Sequence, residues 1–229
     1  MISRWVRVLG SPRAAFAAHE PQQWGWVLPL ALVLVLSLLA GGVGVLSGSI
    51  EHNLEAVQAQ LEAQGTPEAQ REQALKVASA MQYAGPLVIS PAFSVLWAVG
   101  IAGVLTLLGL VLQPGGEPVA FRRALSMSAH ASLVVCLGLA ATLIGSLSGN
   151  PMPSTSLVHV ASPGSVGGAI ASRLDPISIL YYLVLAAGMQ ASLGFSRGAS
   201  WLLCGGLYGG ASALIVLGAL AGKMMSSQS

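Results

Sequence analysis

Charge is scarce in this sequence. Ten Lys and Arg with eight Asp and Glu make up 8% of its 229 residues, against about 25% in a typical soluble protein. That deficit excludes a water-soluble globular fold. The formal net charge is only +2, and no basic stripe with interleaved aromatics occurs, so nucleic acid is excluded as a partner: neutralising phosphates needs clustered Lys and Arg. Cysteine is scarcer still. Cys136 and Cys204 both sit in apolar runs, where a thiol serves as a small buried side chain, so neither a disulfide nor a metal pair is expected. Catalytic signatures are missing as well: there is no H-E-x-x-H, no G-x-S-x-G, no pair of intramembrane aspartates and no P-loop. The chain reads as a non-enzyme with no catalytic residue, no metal and no other cofactor.

Apolar length is abundant. Hydrophobic residues make 54% of the chain and 28 glycines lie among them, a mixture suited to helices packed in lipid. A hydrocarbon core of about 30 Å takes about 20 helical residues. Five stretches qualify: residues 24–46, 86–112, 124–146, 176–195 and 199–222. The first is too long for a signal peptide and is expected to stay as an anchor. The expected fold is all-α, a polytopic membrane bundle of five transmembrane helices forming a single domain over 1–229. Ahead of the first span, Ile2, Trp5, Val6 and Leu9 recur at helical spacing away from Arg4, Arg7 and Arg13, predicting a short interfacial helix. Residues 47–85 predict an extramembrane helical hairpin, with Leu54, Val57 and Leu61 on one stripe, Gly65 closing the first helix, and Thr66 with Pro67 opening the second. Its glutamates, Glu51, Glu55, Glu62, Glu68 and Glu72, are spaced as a solvated face. Residues 149–174, rich in Pro, Ser and Gly, read as an irregular loop.

Orientation follows from Lys and Arg near the span ends. A cytoplasmic N-terminus places Arg4, Arg7, Arg13, Arg122, Arg123 and Arg197 inside and leaves Arg71, Lys76, Arg173 and Lys223 outside, with the C-terminus outside as well. Polar groups within the spans are few. His130 and Gln190 are the candidate intramembrane positions, and an interhelical or local hydrogen bond is the expected fate of each. Were the chain a transporter or channel component for a small or lipidic solute, these two would have to converge near the midplane. Asp175 and Pro176 form an N-cap and first-turn pair. Small residues recur every fourth position through Ala124, Ser128, Ser132, Cys136 and Ala140, and again as Gly205 with Gly209 and Gly206 with Gly210. Such faces let helices approach closely, and they are expected to pack mainly within the chain. The bilayer is the one certain partner; other membrane proteins or further copies of the chain are the remaining candidates, and no specific ligand is identifiable.

Three segments carry a family resemblance. Ser11-Pro12-Arg13-Ala14-Ala15-Phe16, followed by Glu20-Pro21 and Trp24, resembles the opening of bacterial members of the Yip family. Phe121-Arg122-Arg123-Ala124-Leu125-Ser126 is similar to that family's basic entry into its middle helix. The stretch from Leu174 and Asp175 through Pro176, Tyr181 and Tyr182 to Gly188 resembles its fourth-helix segment, with tyrosines where the family usually shows a tryptophan. The resemblance marks Pro12, Phe16, Arg122, Arg123, Asp175, Pro176 and Gly188 as family-motif positions. It implies five spans with the N-terminus inside and a bacterial cytoplasmic (inner) membrane location; eukaryotic members are linked to vesicle traffic, membrane shaping and GTPase recruitment, whereas for bacterial members it implies a membrane protein of undefined role. Together with the missing catalytic constellations and the small-residue faces, it leads to the expectation of a role in organising the membrane or scaffolding a partner.

Overall fold

The computed structural model describes residues 2–17, 25–63, 65–112, 118–148, 155–157 and 166–226. Every regular element in them is helical. Helix α1 (Ile2–Gly10) and α2 (Pro12–Ala17) lead to α3 (Val27–Leu46), the hairpin of α4 (Ser49–Ala63) and α5 (Glu68–Ala84), and α6 (Ser90–Leu112). Then follow α7 (Phe121–Ala131), α8 (Leu133–Leu147), α9 (Val166–Arg173), α10 (Pro176–Ser192) and α11 (Arg197–Ser226). Four helices are long and apolar enough to cross a membrane, and a fifth span results if α9 and α10, bent by 47° at their break, count as one. The chain is an all-α, multi-pass membrane protein.

Helix α7 forms the axis. All eleven residues from Ala124 to Val134 are buried, because small side chains let α6, α10 and α3 approach from different sides. Ser132 interrupts the third span there: its hydroxyl donates to the Ser128 carbonyl at 3.0 Å, a back-bond that bends helices. Helix α3 lies along α8, and α10 packs on α2, α7 and α11. The N-terminal helices do more than lie on headgroups. Val8 and Phe16 are both buried in the same core as Met127 and Leu185, so α1 and α2 close one end of the bundle.

Several expected boundaries move. The hairpin forms, reversing at Gly65 with φ +66°, and Arg71 pairs with Glu62 across the turn at 3.3 Å. Pro67, however, occupies the N-cap of α5 where Thr66 was expected. The second span was expected to begin afresh at Pro86. Instead one helix of 45 residues runs from Glu68 to Leu112, because a π turn at Gly85–Ile89 absorbs the proline: the Ser90 N–H bonds back to the Gly85 carbonyl, five residues earlier. The loop expected at 149–174 holds α9, hidden in the sequence by Gly167 and Gly168 and held by docking on α11. The fourth span stops at Ser192, three residues short of expectation. Trp24 and Glu20-Pro21 lie outside the described residues.

The π turn sits against α3 at Gly41. A Cβ there would stand 2.4 Å from the Pro86 carbonyl oxygen, whereas at Gly42 it would meet nothing within 4 Å. Gly41→Ala is therefore expected to destabilise the purified chain by about 1–3 kcal/mol through overpacking, while Gly42→Ala gains helix propensity and leaves the thermal midpoint equal or higher. Equal melting of the two variants would contradict this contact.

Candidate functional site

Helix α10 positions the most polar group of side chains in the bundle. Asp175 caps it, accepting from the Ile177 and Ser178 amides at 3.2 and 3.0 Å, with Pro176 following as the first helical residue. The Ser178 hydroxyl and the Thr155 hydroxyl, 20 residues earlier in the chain, add bonds of 2.6 Å each. At the end of α9, Arg173 reaches toward α11. Its Nε donates to Ser212 at 3.3 Å, its guanidinium lies 5.7 Å from the Tyr208 ring centroid, and the Tyr208 hydroxyl donates to the Arg173 carbonyl.

These groups stand at the mouth of a groove of about 540 Å³ between α6, α8, α10 and α11. Phe93, Trp97, Val135 and Ile215 contribute apolar walls, and Tyr181 and Tyr182 lie deepest along α10. A second cavity of about 520 Å³, between α3, the hairpin and α8, adjoins it through the shared residues Leu139 and Thr142. Both lie toward the end of the bundle that carries the hairpin. Tyr181 is 5% exposed, and its hydroxyl, near Trp97 and Ser128, meets hydrogen-bond geometry with neither. The Ser128 hydroxyl is likewise buried without a partner.

The two intramembrane candidates lie away from this groove. His130 turns back on its own helix, its Nδ1 2.8 Å from the Ser126 carbonyl, and Gln190 is half-buried on α10; neither lines the groove. In the third span Cys136 and Ala140 are half-buried, and Ala124, Ser128 and Ser132 are packed inside. The glycines of α11 are not. Gly205, Gly206, Gly209 and Gly210 are exposed, and a Cβ on any of them would meet nothing within 4 Å; the intramolecular packing expected of them does not occur, because α11 rests on α10 and α9 by another face. Among the described residues no three His, Cys, Asp or Glu side chains gather as metal ligands.

The motif positions fall into place differently. Gly188 lies against Phe16 and Met127: a Cβ there would stand 2.7 Å from the Met127 Sδ and 3.2 Å from Phe16. Two motif positions 172 residues apart thus share one contact, and Pro12 starts the helix that carries Phe16. Arg122 and Arg123 are exposed at the start of α7, at the same end of the bundle. A Yip1 domain matches residues 6–220. The chain belongs to the Yip1 family. No curated protein and no solved structure matches it. In this Yip1 protein the Asp175-Pro176 motif is a helix cap that also gathers the groove mouth, and Gly188 is a packing contact at the other end. Reading the sequence missed Arg173, Thr155, Tyr208 and Ser212. Arg173 was legible as a cation two residues before a capping carboxylate, whereas the approach of Thr155 depends on a loop path that no local pattern encodes.

Because the Tyr181 hydroxyl has no partner, Tyr181→Phe is expected to leave thermal stability unchanged or raise it. Asp175→Ala removes the acceptor of two helix-start amides and is expected to cost about 0.5–2 kcal/mol. A Tyr181→Phe variant as destabilised as Asp175→Ala would show that the hydroxyl is bonded after all.

Proposed function

We propose that this Yip1 protein is a non-enzymatic organiser of membrane protein assemblies, docking partner helices, from other membrane proteins or further copies of itself, against α11. The observation that carries this reading is the exposure of α11: only 6% of its most apolar stretch is buried by the rest of the chain, against 44% in the span formed by α7 and α8. A helix that simply faces lipid gains from large apolar side chains. This one presents Gly206, Gly209, Gly210 and Ala213 between Leu202 and Leu217, a shallow track into which another helix backbone fits closely. Transport finds no support in the positions of His130 and Gln190.

In this reading residues 1–229 act as one five-span unit with the 47–85 hairpin as an insertion, placed in a bacterial cytoplasmic membrane with the N-terminus inside. The exposed cations support that orientation. Arg7, Arg13, Arg122, Arg123 and Arg197 stand at the end of the bundle opposite the hairpin, and the hairpin end carries the glutamates.

Gly206→Leu combined with Gly210→Leu is expected to abolish chemically crosslinked complexes in native membranes while leaving the melting temperature unchanged, since both positions have open space around them. Crosslinked complexes that persist undiminished would count against docking on α11. For topology, cysteines placed at Gln60 and Ser226 are expected to react with an impermeant maleimide in intact cells, and one at Gly115 only after permeabilisation; a C-terminus reacting only after permeabilisation would overturn the five-span arrangement.

A further inference from the structure

Helix packing does not account for the guanidinium at the groove mouth. Ser212 and the Tyr208 ring hold Arg173 in place from one side, yet its two terminal nitrogens carry no hydrogen bond and no ion pair among the described residues. Among the described residues Asp175 makes no ion pair with it within 4 Å. Both carboxylate oxygens are filled, Oδ1 by the Thr155 hydroxyl and the Ile177 amide, Oδ2 by the hydroxyl and amide of Ser178. A half-buried Arg at the end of a membrane bundle, with no bond to its fork among the described residues, is complementary to a phosphate. The groove below it is apolar, and it opens beside Phe93 and Ile215, which are 60% and 45% exposed on surfaces that lipid covers.

We propose that this groove binds a glycerophospholipid from the surrounding bilayer, its phosphate on the Arg173 guanidinium and one acyl chain along Phe93, Trp97, Val135 and Ile215. Size fits: about 540 Å³ lies within the usual range of ligand sites. Along α10 the groove runs from Asp175 to Tyr182, about 10 Å of helix at 1.5 Å per residue, which accommodates a glycerol backbone and the upper part of one chain while the remainder stays in the bilayer. A soluble anion would leave those apolar walls bare. A lipid without phosphate would leave the guanidinium unpaired. The site is independent of partner docking: at 100° per residue, Gly206 and Gly210 stand on the side of α11 opposite Tyr208, Ala211 and Ile215.

Native mass spectrometry of the full-length protein, released from nanodiscs containing phosphatidylglycerol, phosphatidylethanolamine and diacylglycerol in equal amounts, tests this. Both phospholipids are expected to stay bound and diacylglycerol to be lost. Arg173→Gln is expected to weaken phospholipid retention about tenfold, Arg173→Lys to restore part of it, and Lys76→Gln, on the hairpin, to change nothing. Ile215→Trp, which fills the wall but keeps the charge, is expected to displace the lipid too. Should Arg173→Gln fail to fold, the Arg173→Lys and Ile215→Trp variants decide. Diacylglycerol retained as firmly as phospholipid, or retention indifferent to both Arg173 substitutions and to Ile215→Trp, would overturn the proposal.

Discussion

The rest of this bundle depends on the complete burial of the stretch from Ala124 to Val134, most of α7 and the start of α8. In lipid, one helix gains nothing from hiding an apolar face, since acyl chains are as apolar as Leu; close contact between backbones supplies the attraction instead. The run from Ala124 to Val134 meets that condition with alanines and serines, and α6, α10 and α3 gather around it. Phe16 and Gly188 extend the same packing to one end, where α1 and α2 seal it.

What surrounds that axis is less tightly held, and the polar chemistry lies there. The groove forms at the periphery, between α6, α8, α10 and α11, and its charged mouth is built where α9 and α10 break. Asp175 illustrates the economy of the arrangement. One carboxylate caps the start of α10, accepts from Thr155 twenty residues earlier, and with its oxygens so engaged makes no ion pair with the neighbouring cation among the described residues. Helix α11 departs furthest from the axis: it packs on α10 and α9, and a Cβ on Gly205, Gly206, Gly209 or Gly210 would meet nothing within 4 Å.

The legibility of the sequence follows the range of the forces involved. Apolar runs of about 20 residues marked α3, α6, α7 with α8, and α11, since the bilayer imposes its thickness on each segment alone. Gly65, Asp175 and Pro176 were readable because caps and turns are local. Pro86 was misleading: a proline usually ends a helix, and only the hydrogen-bond pattern of the π turn lets the chain continue. Helix α9 escaped notice because glycines mask it and tertiary docking holds it. The open face of α11 was misjudged for a related reason. Small residues announce that a helix is able to pack closely, but not against which surface.

The helix from Glu68 to Leu112 has a mechanical consequence. At 1.5 Å per residue its 45 residues span about 67 Å, and α5 makes up about 25 Å of it before the π turn. No flexible linker separates the two. The hairpin is therefore a lever arm rigidly joined to the helix that supplies Phe93 and Trp97 to the groove wall, with Gly41 and Pro86 as its fulcrum. A load on the hairpin has only two outlets, bending at that fulcrum or rotation of α6 against its neighbours.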